Sequence, residues 1–458
     1  MYQLDFSKPQ HIHFIGIGGI SMSGLAKLLL GKKFTVSGSD GSASALTDEL
    51  ESLGARIYIG QSASNIEDGI DVVVYTAAIH PDNPEYAECE RRGLPMLSRA
   101  ALLGQLMKLY EFPIAIAGTH GKTTTTSMVS EILLHCDTDP TLAVGGMLRS
   151  INGNLRIGSE KFFVAEACEY TNSYLEFFPK ISVILNIEED HLDFFKDLDD
   201  IRRSFRAFAK LLPEDGTLII NSDIDRFSEI TDGLKCKVIT FGHFEDSDYR
   251  AEDIGYEATG HPSYTLCHKD EKYKVTLGVV GEHNVYNSLA AIAIADLFTL
   301  DRDKTLEALK AFTGTERRFE IKGSIGGIKV IDDYAHHPSE IRATLKAMEK
   351  YPHNKLWCIF QPHTYTRTKA FLDEFAAALK TADTVILADI YAARETDTLG
   401  VSSKDIADRI NASGGNAVYF SYFDDIENYL LQNVQDGDVI LTMGAGDVYK
   451  IGDRLLGR

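Results

Sequence analysis

Residues 118–124, Gly-Thr-His-Gly-Lys-Thr-Thr, have the types and spacing of a phosphate grip. The apolar run Ile114–Ala117 precedes them, and a helical pattern over Thr123–Leu134 follows. In such a strand–turn–helix, backbone N–H groups converge on one hollow and the helix N-terminus adds partial positive charge. Lys122 is placed to reach terminal phosphates, and the Thr123 hydroxyl to ligate Mg2+. The loop is shorter than the common GxxxxGK(S/T) form, because Ile116 stands where the first glycine would be. A glycine turn followed by a surface lysine is the alternative.

A second glycine run, Ile15-Gly-Ile-Gly-Gly-Ile-Ser21, also follows an apolar stretch and opens a helical pattern. Gly16 would make the tight turn, while Gly18 and Gly19 would let a phosphate approach the backbone. Asp40 lies 22 residues after Gly18, where a ribose-binding acid sits in dinucleotide folds. Ser21 replaces the last glycine of that fingerprint. A nicotinamide dinucleotide, another nucleotide and a purely structural turn therefore all stay open.

Glu166 ends the run Phe163–Ala167, and His191 follows the run Ile181–Asn186. Both would sit at C-terminal strand ends, the side where open parallel sheets hold ligands. A carboxylate beside the Thr123 hydroxyl suits Mg2+, which prefers oxygen. Glu188, Glu189, Asp190 and Asp193 read as a solvated acidic turn. Further on, Asp332-Asp-Tyr-Ala-His-His-Pro338 and Gln361-Pro-His-Thr-Tyr-Thr-Arg367 each end an apolar run and would converge on one cleft. Arg367 suits a carboxylate or phosphate by paired hydrogen bonds. Arg317-Arg318 is either an arginine directed at a transferring phosphoryl group or a surface basic pair.

The elements that must carry these groups form three series. His11–Ile17, Phe34–Ser39, Arg56–Ile59 and Asp71–Tyr75 read as strands, with a helical face over Ser21–Leu30. A second start at Pro113 opens a middle section with strands Phe163–Ala167, Ile181–Asn186, Thr217–Asn221 and Val238–Gly242. It continues through an antiparallel stretch over 248–278 and a compact helix at Leu289–Phe298. The last section alternates strands Lys329–Asp333, Leu356–Phe360, Thr384–Ile390, Asn416–Phe420 and Asp438–Met443 with helices such as Ser339–Lys350 and Thr368–Ala382. Alternation of this kind predicts parallel sheets. The expected architecture is α/β in three domains: a Rossmann-like domain over 1–111, a P-loop domain over 112–322 and a doubly wound domain over 323–458.

The composition agrees with a globular chain. Of 458 residues, 44% are apolar and 25% charged, enough to bury several cores. The formal net charge of −21 argues against broad binding to nucleic acid or anionic membrane. Phosphates must then meet local cations, backbone N–H groups or metal ions. No apolar stretch reaches the ~18 residues of a spanning helix, and Ile12–Ile20 lacks the basic leader of a signal peptide. Six scattered cysteines form no CxxC pair, so a reducing, cytoplasmic setting is expected.

Assembled in order, the stretches HIHFIGIGGISMSGLA, VSGSD, AGTHGKTTTTSM, AEACEYTNSYL, NIEEDHLDFF, GEHNVYNSLAA, RRFE, DDYAHHPSEI, FQPHTYTRTKAFLDEF and GAGDVYKIG resemble the Mur ligase family over essentially the whole chain. The resemblance implies a bacterial cytoplasmic ligase of peptidoglycan precursor synthesis. ATP would phosphorylate the lactyl carboxylate of UDP-N-acetylmuramate, and the amine of L-alanine would attack the acyl phosphate. By the same resemblance, residues 118–124 (Gly118, Thr119, His120, Gly121, Lys122, Thr123 and Thr124) would wrap the ATP phosphates, with Lys122 and Arg318 on the γ-phosphate. Thr123 and Glu166 would hold one Mg2+, and His191 would help hold a second. Asn284 and Asn287 would meet adenine, and Asp333 the ribose. Gly18, Gly19, Ile20 and Ser21, with Ser39 and Asp40, would cradle UDP. Tyr334, His336, His337, His363 and Arg367 would surround the alanine and the reacting carboxylate. A histidine titrating near neutrality would take the amine proton.

Three departures from the family pattern matter. The carbamylated lysine that related ligases carry 15 residues after the metal histidine is Arg206 here, which favours the alanine-adding branch. Thr364 stands where some members have arginine, which shifts weight onto Arg367. AEACEYTNSY replaces a more acidic pattern after Glu166. A peptide-recycling ligase of the same family is the rival, and a nicotinamide-dependent dehydrogenase a remote one.

Overall fold

The computed structural model describes residues 2–76, 78–393 and 395–458. It holds three sheets. The first is fully parallel, with strands in the order Arg56–Ile59, Thr35–Asp40, His11–Ile15, Val72–Tyr75, Met96–Ser98. Its central strands His11–Ile15 and Val72–Tyr75 are buried along almost their whole length, as parallel sheets covered on both faces are.

In the second sheet Phe112–Ala117 lies between Ile181–Ile184 and Phe162–Ala167, so the phosphate loop leaves a central strand. Thr217–Asn221 and Lys237–Gly242 extend it in parallel; Tyr249–Tyr256, Pro262–His268 and Glu271–Thr276 add the expected antiparallel meander. On the other side Thr141–Leu148 pairs with Phe162–Ala167 and turns back into Gly153–Arg156, a hairpin that no alternation in the sequence announces. The third sheet runs Glu320–Ile325, Ile328–Asp333, Val439–Met443, Leu356–Phe360, Thr384–Leu387, Ala417–Tyr419, parallel except for its first pair.

The three-part α/β architecture is borne out. Several expected strands stop early at the ligand edge. His11–Ile15 ends before Gly16, whose φ of +85° turns the chain, and Ile181–Ile184 ends before Asn186. The helix expected over Thr368–Ala382 is two helices, Tyr365–Ala370 and Leu372–Leu379, broken at Phe371. A domain cut after residue 322 falls inside the strand Glu320–Ile325.

The cores show how the parts are joined. One apolar cluster runs from Ile12, Leu102 and Leu106 of the first section into Tyr174, Phe177 and Phe205 of the second. The helix Arg99–Met107 packs so closely there that a Cβ at Gly104 would overlap the Glu176 carbonyl, at 2.0 Å. The third section keeps cores almost entirely its own. Its bonds to the middle section at the cleft are polar: Ser339 and Glu340 to His120, and Arg367 to Asp190.

Candidate functional site

The phosphate loop joins the buried strand Phe112–Ala117 to the helix Lys122–His135. Gly121 takes a left-handed φ of +83°, and a Cβ there would sit 2.7 Å from Asn287 Oδ1, so only glycine fits. Thr119 is structural: its hydroxyl accepts from the Glu188 N–H at 2.9 Å. Lys122 Nζ donates to the Thr119 carbonyl and to the Glu169 carboxylate, both at 2.9 Å. Burial opposes the ammonium charge, but Glu169 outweighs it and raises the lysine pKa. Glu169, buried and absent from the sequence-based site, is thus the lysine's partner. Its only sequence signal is an acid three residues beyond Glu166.

Thr123 Oγ1 lies 3.1 Å from Glu166 Oε2 on the neighbouring strand end, where Glu166 also takes the Gly145 N–H. Burial raises the Glu166 pKa. Two adjacent oxygens beside a phosphate loop fit Mg2+. His191 sits on a left-handed residue (φ +53°), its Nε2 3.7 Å from Glu169 and its ring against Tyr170. Arg206 is turned away, donating to the carbonyls of Glu229 and Asp232.

The acidic turn is not solvated as a whole. Asp190 is buried, and its Oδ1 accepts from Arg367 Nη2 at 2.9 Å and Nε at 3.3 Å. Burial would raise the Asp190 pKa, but the guanidinium overrides it and holds the carboxyl well below its ordinary range. Arg367, expected to face a substrate carboxylate, is committed to Asp190 in this state. Glu188 stays partly exposed, its carboxylate 3.5 Å from His120 Nε2.

His120 is the hub of the cross-domain contact. Its Nε2 meets Ser339 Oγ at 2.8 Å, and its Nδ1 lies 3.2 Å from Glu340. Burial alone would lower its pKa; Glu340 and Glu188 prevail and lift it to about 9. A raised histidine pKa adds stability that is complete below the unfolded value near 6.5 and is lost as pH rises through about 9. The shift is worth about 3 kcal/mol at ~1.4 kcal/mol per unit. The third section should therefore loosen from the phosphate loop between pH 7 and 10, read as growing protease sensitivity around residues 312–320. Constant sensitivity across that range would overturn this role.

The other cleft histidines go the opposite way. Burial lowers His336 to about 3, and His337 and His363 to about 4. The expectation that one of these histidines titrates near neutrality is corrected: each is neutral but a weak base in this state. His337 instead caps the helix Pro338–Met348, and His363 Nδ1 lies 3.2 Å from Arg367 Nη1. Thr364 holds a φ of +67°, a costly conformation for a β-branched residue, within this loop.

A cavity of about 550 Å³ opens beside the phosphate loop, lined by Thr124, Tyr286, Asn287, Arg318, Asp333 and Phe241, among others. The arginine pair divides: Arg317 is spent on Asp332 and the Gly444 carbonyl, and Arg318 faces the cavity. Tyr334 lies against both guanidiniums. Asn284 and Asn287 both line this cavity. Asn284 donates to the Val280 carbonyl at 2.7 Å and Asn287 donates to Asn284 at 2.9 Å, because buried amides must be paired. Asp333 has both oxygens on backbone N–H groups, of Phe319 and Ala335, and burial raises it to about 6. Spare lone pairs still leave it able to accept a hydroxyl.

At the first glycine run, the helix Ile20–Gly31 starts at Gly19 without a side-chain cap or a first-turn acid, which leaves its N-terminal N–H groups for an anion. Asp40 accepts from the Gly18 N–H at 2.9 Å and so shapes the loop. Ser39 is corrected: its hydroxyl is fully buried and donates to Glu85, a buried carboxylate that also takes Asn65. A second cavity, of about 600 Å³, lies between Tyr170, His191, His363, Arg367 and Phe371.

Comparison with known proteins agrees with this layout. Residues 11–111 match the model described as Mur ligase family, catalytic domain; 116–295 match Mur ligase middle domain; 317–446 match Mur ligase, glutamate ligase domain. The UDP-N-acetylmuramate–L-alanine ligase of Lachnospira eligens is 60% identical over 458 residues, covering 100% of both chains. That of Agathobacter rectalis is 56% identical over 457 residues, again covering 100% of both. Among solved structures, the UDP-N-acetylmuramate-alanine ligase of Thermotoga maritima superposes with a TM-score of 0.82 at 31% identity, covering 98% of each chain. A murein peptide ligase from Psychrobacter arcticus gives 0.71 at 27% identity, also over 98% of each. With its phosphate loop, its cleft acids and all three of its domains matched in order, the chain belongs to the Mur ligase family.

Proposed function

We propose that this enzyme uses ATP to form an amide between the lactyl carboxylate of UDP-N-acetylmuramate and L-alanine, in the cytoplasm, during peptidoglycan precursor synthesis. The observation that carries this reading is the full-length identity to ligases named for that reaction. The divisions 1–111, 112–322 and 323–458 then correspond to sugar-nucleotide, ATP and amino-acid domains.

A carboxylate is a poor electrophile, so its oxygen first takes the γ-phosphoryl group and ADP leaves. The amine then attacks the acyl carbon and phosphate departs. In this account residues 118–124 hold the triphosphate, and Lys122 exchanges Glu169 for the γ-phosphate. Thr123 and Glu166 would hold one Mg2+ and His191 would help hold a second, supplying positive charge against that of the transferring group. Arg318 reaches into the ATP cavity from the second junction. Asn284 and Asn287, on the cavity wall, meet adenine, and Asp333 accepts from the ribose. Gly18 to Ser21 offer backbone N–H groups to the diphosphate of UDP. The amino acid would enter beside His363, Arg367 and Tyr334, and a neutral imidazole among His336, His337 and His363 would accept its proton.

The test is phosphate release with ATP and UDP-N-acetylmuramate, offering alanine, serine, glycine or a preformed tripeptide in turn. Alanine should release phosphate most efficiently. Release with the tripeptide alone would replace this proposal by the recycling one.

A further inference from the structure

The cations of the cleft are nearly all taken. Lys122 has Glu169 and Arg367 has Asp190, each at 2.9 Å; Arg317 has Asp332 at 2.9 Å and His120 has Glu340 at 3.2 Å. Arg318 lies 3.9 Å from Glu340. Arg99 differs. Among the described residues its side chain makes no hydrogen bond and no ion pair. It is half-buried, and Glu166 and Cys168 are the charged or titratable groups whose fields reach it.

Its position is fixed by the fold. Arg99 opens the helix Arg99–Met107 directly after the strand Met96–Ser98, and Ser98 caps that helix. The strand ends of this parallel sheet share one edge, so Arg99 and the glycine loop after His11–Ile15 lie on the same side. Val72–Tyr75 stands between their strands. Two strand spacings place the arginine about 10 Å sideways from that loop. The displacement is toward the middle domain, because the same helix packs on residues 170–176.

A free guanidinium between a diphosphate loop and a metal-binding carboxylate lacks only an anion. The sugar nucleotide supplies one, since its lactyl acid must leave the diphosphate and reach the γ-phosphate near Thr123 and Glu166. Resting on the sugar-nucleotide reading above, we propose that Arg99 is a binding residue for the lactyl carboxylate and steers it from the first domain to the phosphate loop. An unpaired arginine also offsets the acids around the site and forms two parallel bonds to a carboxylate.

The experiment is equilibrium binding by calorimetry, without ATP, of UDP-N-acetylmuramate and of UDP-N-acetylglucosamine, which lacks the lactyl arm. Arg99→Gln should weaken the first at least tenfold and leave the second within twofold. Arg99→Lys, which keeps the charge, should recover part of the loss and controls for folding. Equal affinity of wild type and Arg99→Gln for the lactyl ligand overturns the assignment, as does an equal loss for both ligands, which would place the arginine on the diphosphate. A wild-type chain that binds the lactyl ligand and releases phosphate leaves the function standing when Arg99 fails; one that does neither overturns both.

Discussion

Lys122→Ala lowers turnover by at least ~10²–10³-fold, the usual loss when one cationic or hydrogen-bonding group is removed from a developing charge. The loss falls on kcat more than on KM for ATP, because charge moves as the phosphoryl group transfers. The structure adds a second consequence. The lysine is the buried partner of Glu169. Removing it leaves a carboxylate unpaired in the interior, which costs about 3–5 kcal/mol. Lost activity alone would therefore not separate chemistry from folding. In the pair Lys122→Ala with Glu169→Gln the orphaned charge is gone, so the melting temperature should return while turnover does not. Glu169→Gln alone supplies the control. Phosphate release and a thermal melt on the three variants check this, and a double variant near wild-type rate would sink the γ-phosphate role.

The parts legible in the sequence are those where local pattern and chemistry coincide. The loop at 118–124 announces itself because a strand, a glycine turn and a helix start must be contiguous to grip phosphate. Glu166 was visible for a related reason: it ends a strand, and strand ends in parallel sheets share an edge. What stayed hidden depends on pairing between distant segments. Nothing near Asp190 says that Arg367, 177 residues away, will draw it out of water. Nothing near Lys122 identifies Glu169, and nothing near Ser39 reveals Glu85. Motif resemblance places Asn284 and Asn287 in the site, and both line the cavity; what it does not reveal is that their amide N–H groups go to Val280 and Asn284, because a buried amide is costly unless paired. Histidine titration was equally illegible. The same residue type goes up at His120 and down at His336, set by which carboxylates surround it and how deeply it is buried.

Arg367→Ala should open the enzyme rather than unfold it. The first and middle sections share one apolar core, whereas the last keeps cores almost entirely its own and meets the cleft through polar bonds. Loss of the guanidinium would strand Asp190, under one-tenth exposed. A buried, unpaired charge costs about 3 kcal/mol or more. That strain can be relieved without global unfolding, because letting the last domain swing off returns Asp190 to water. A bias of that size moves the closed fraction by roughly a hundredfold. Turnover should fall by about the same factor, since phosphate loop and amino-acid groups meet only when closed. Small-angle scattering should show a larger radius of gyration, with the melting temperature within a few degrees of wild type. The pH dependence follows from the depressed Asp190 carboxyl. Its pairing is intact above the ordinary carboxylate range and lost only on acidification below it. Wild type should therefore open at low pH, while the variant is already open at neutrality. Asp190→Asn added to Arg367→Ala removes the stranded charge and should restore compactness without restoring turnover. Scattering unchanged in the single variant at neutral pH would refute the pair as the clasp of the closed state.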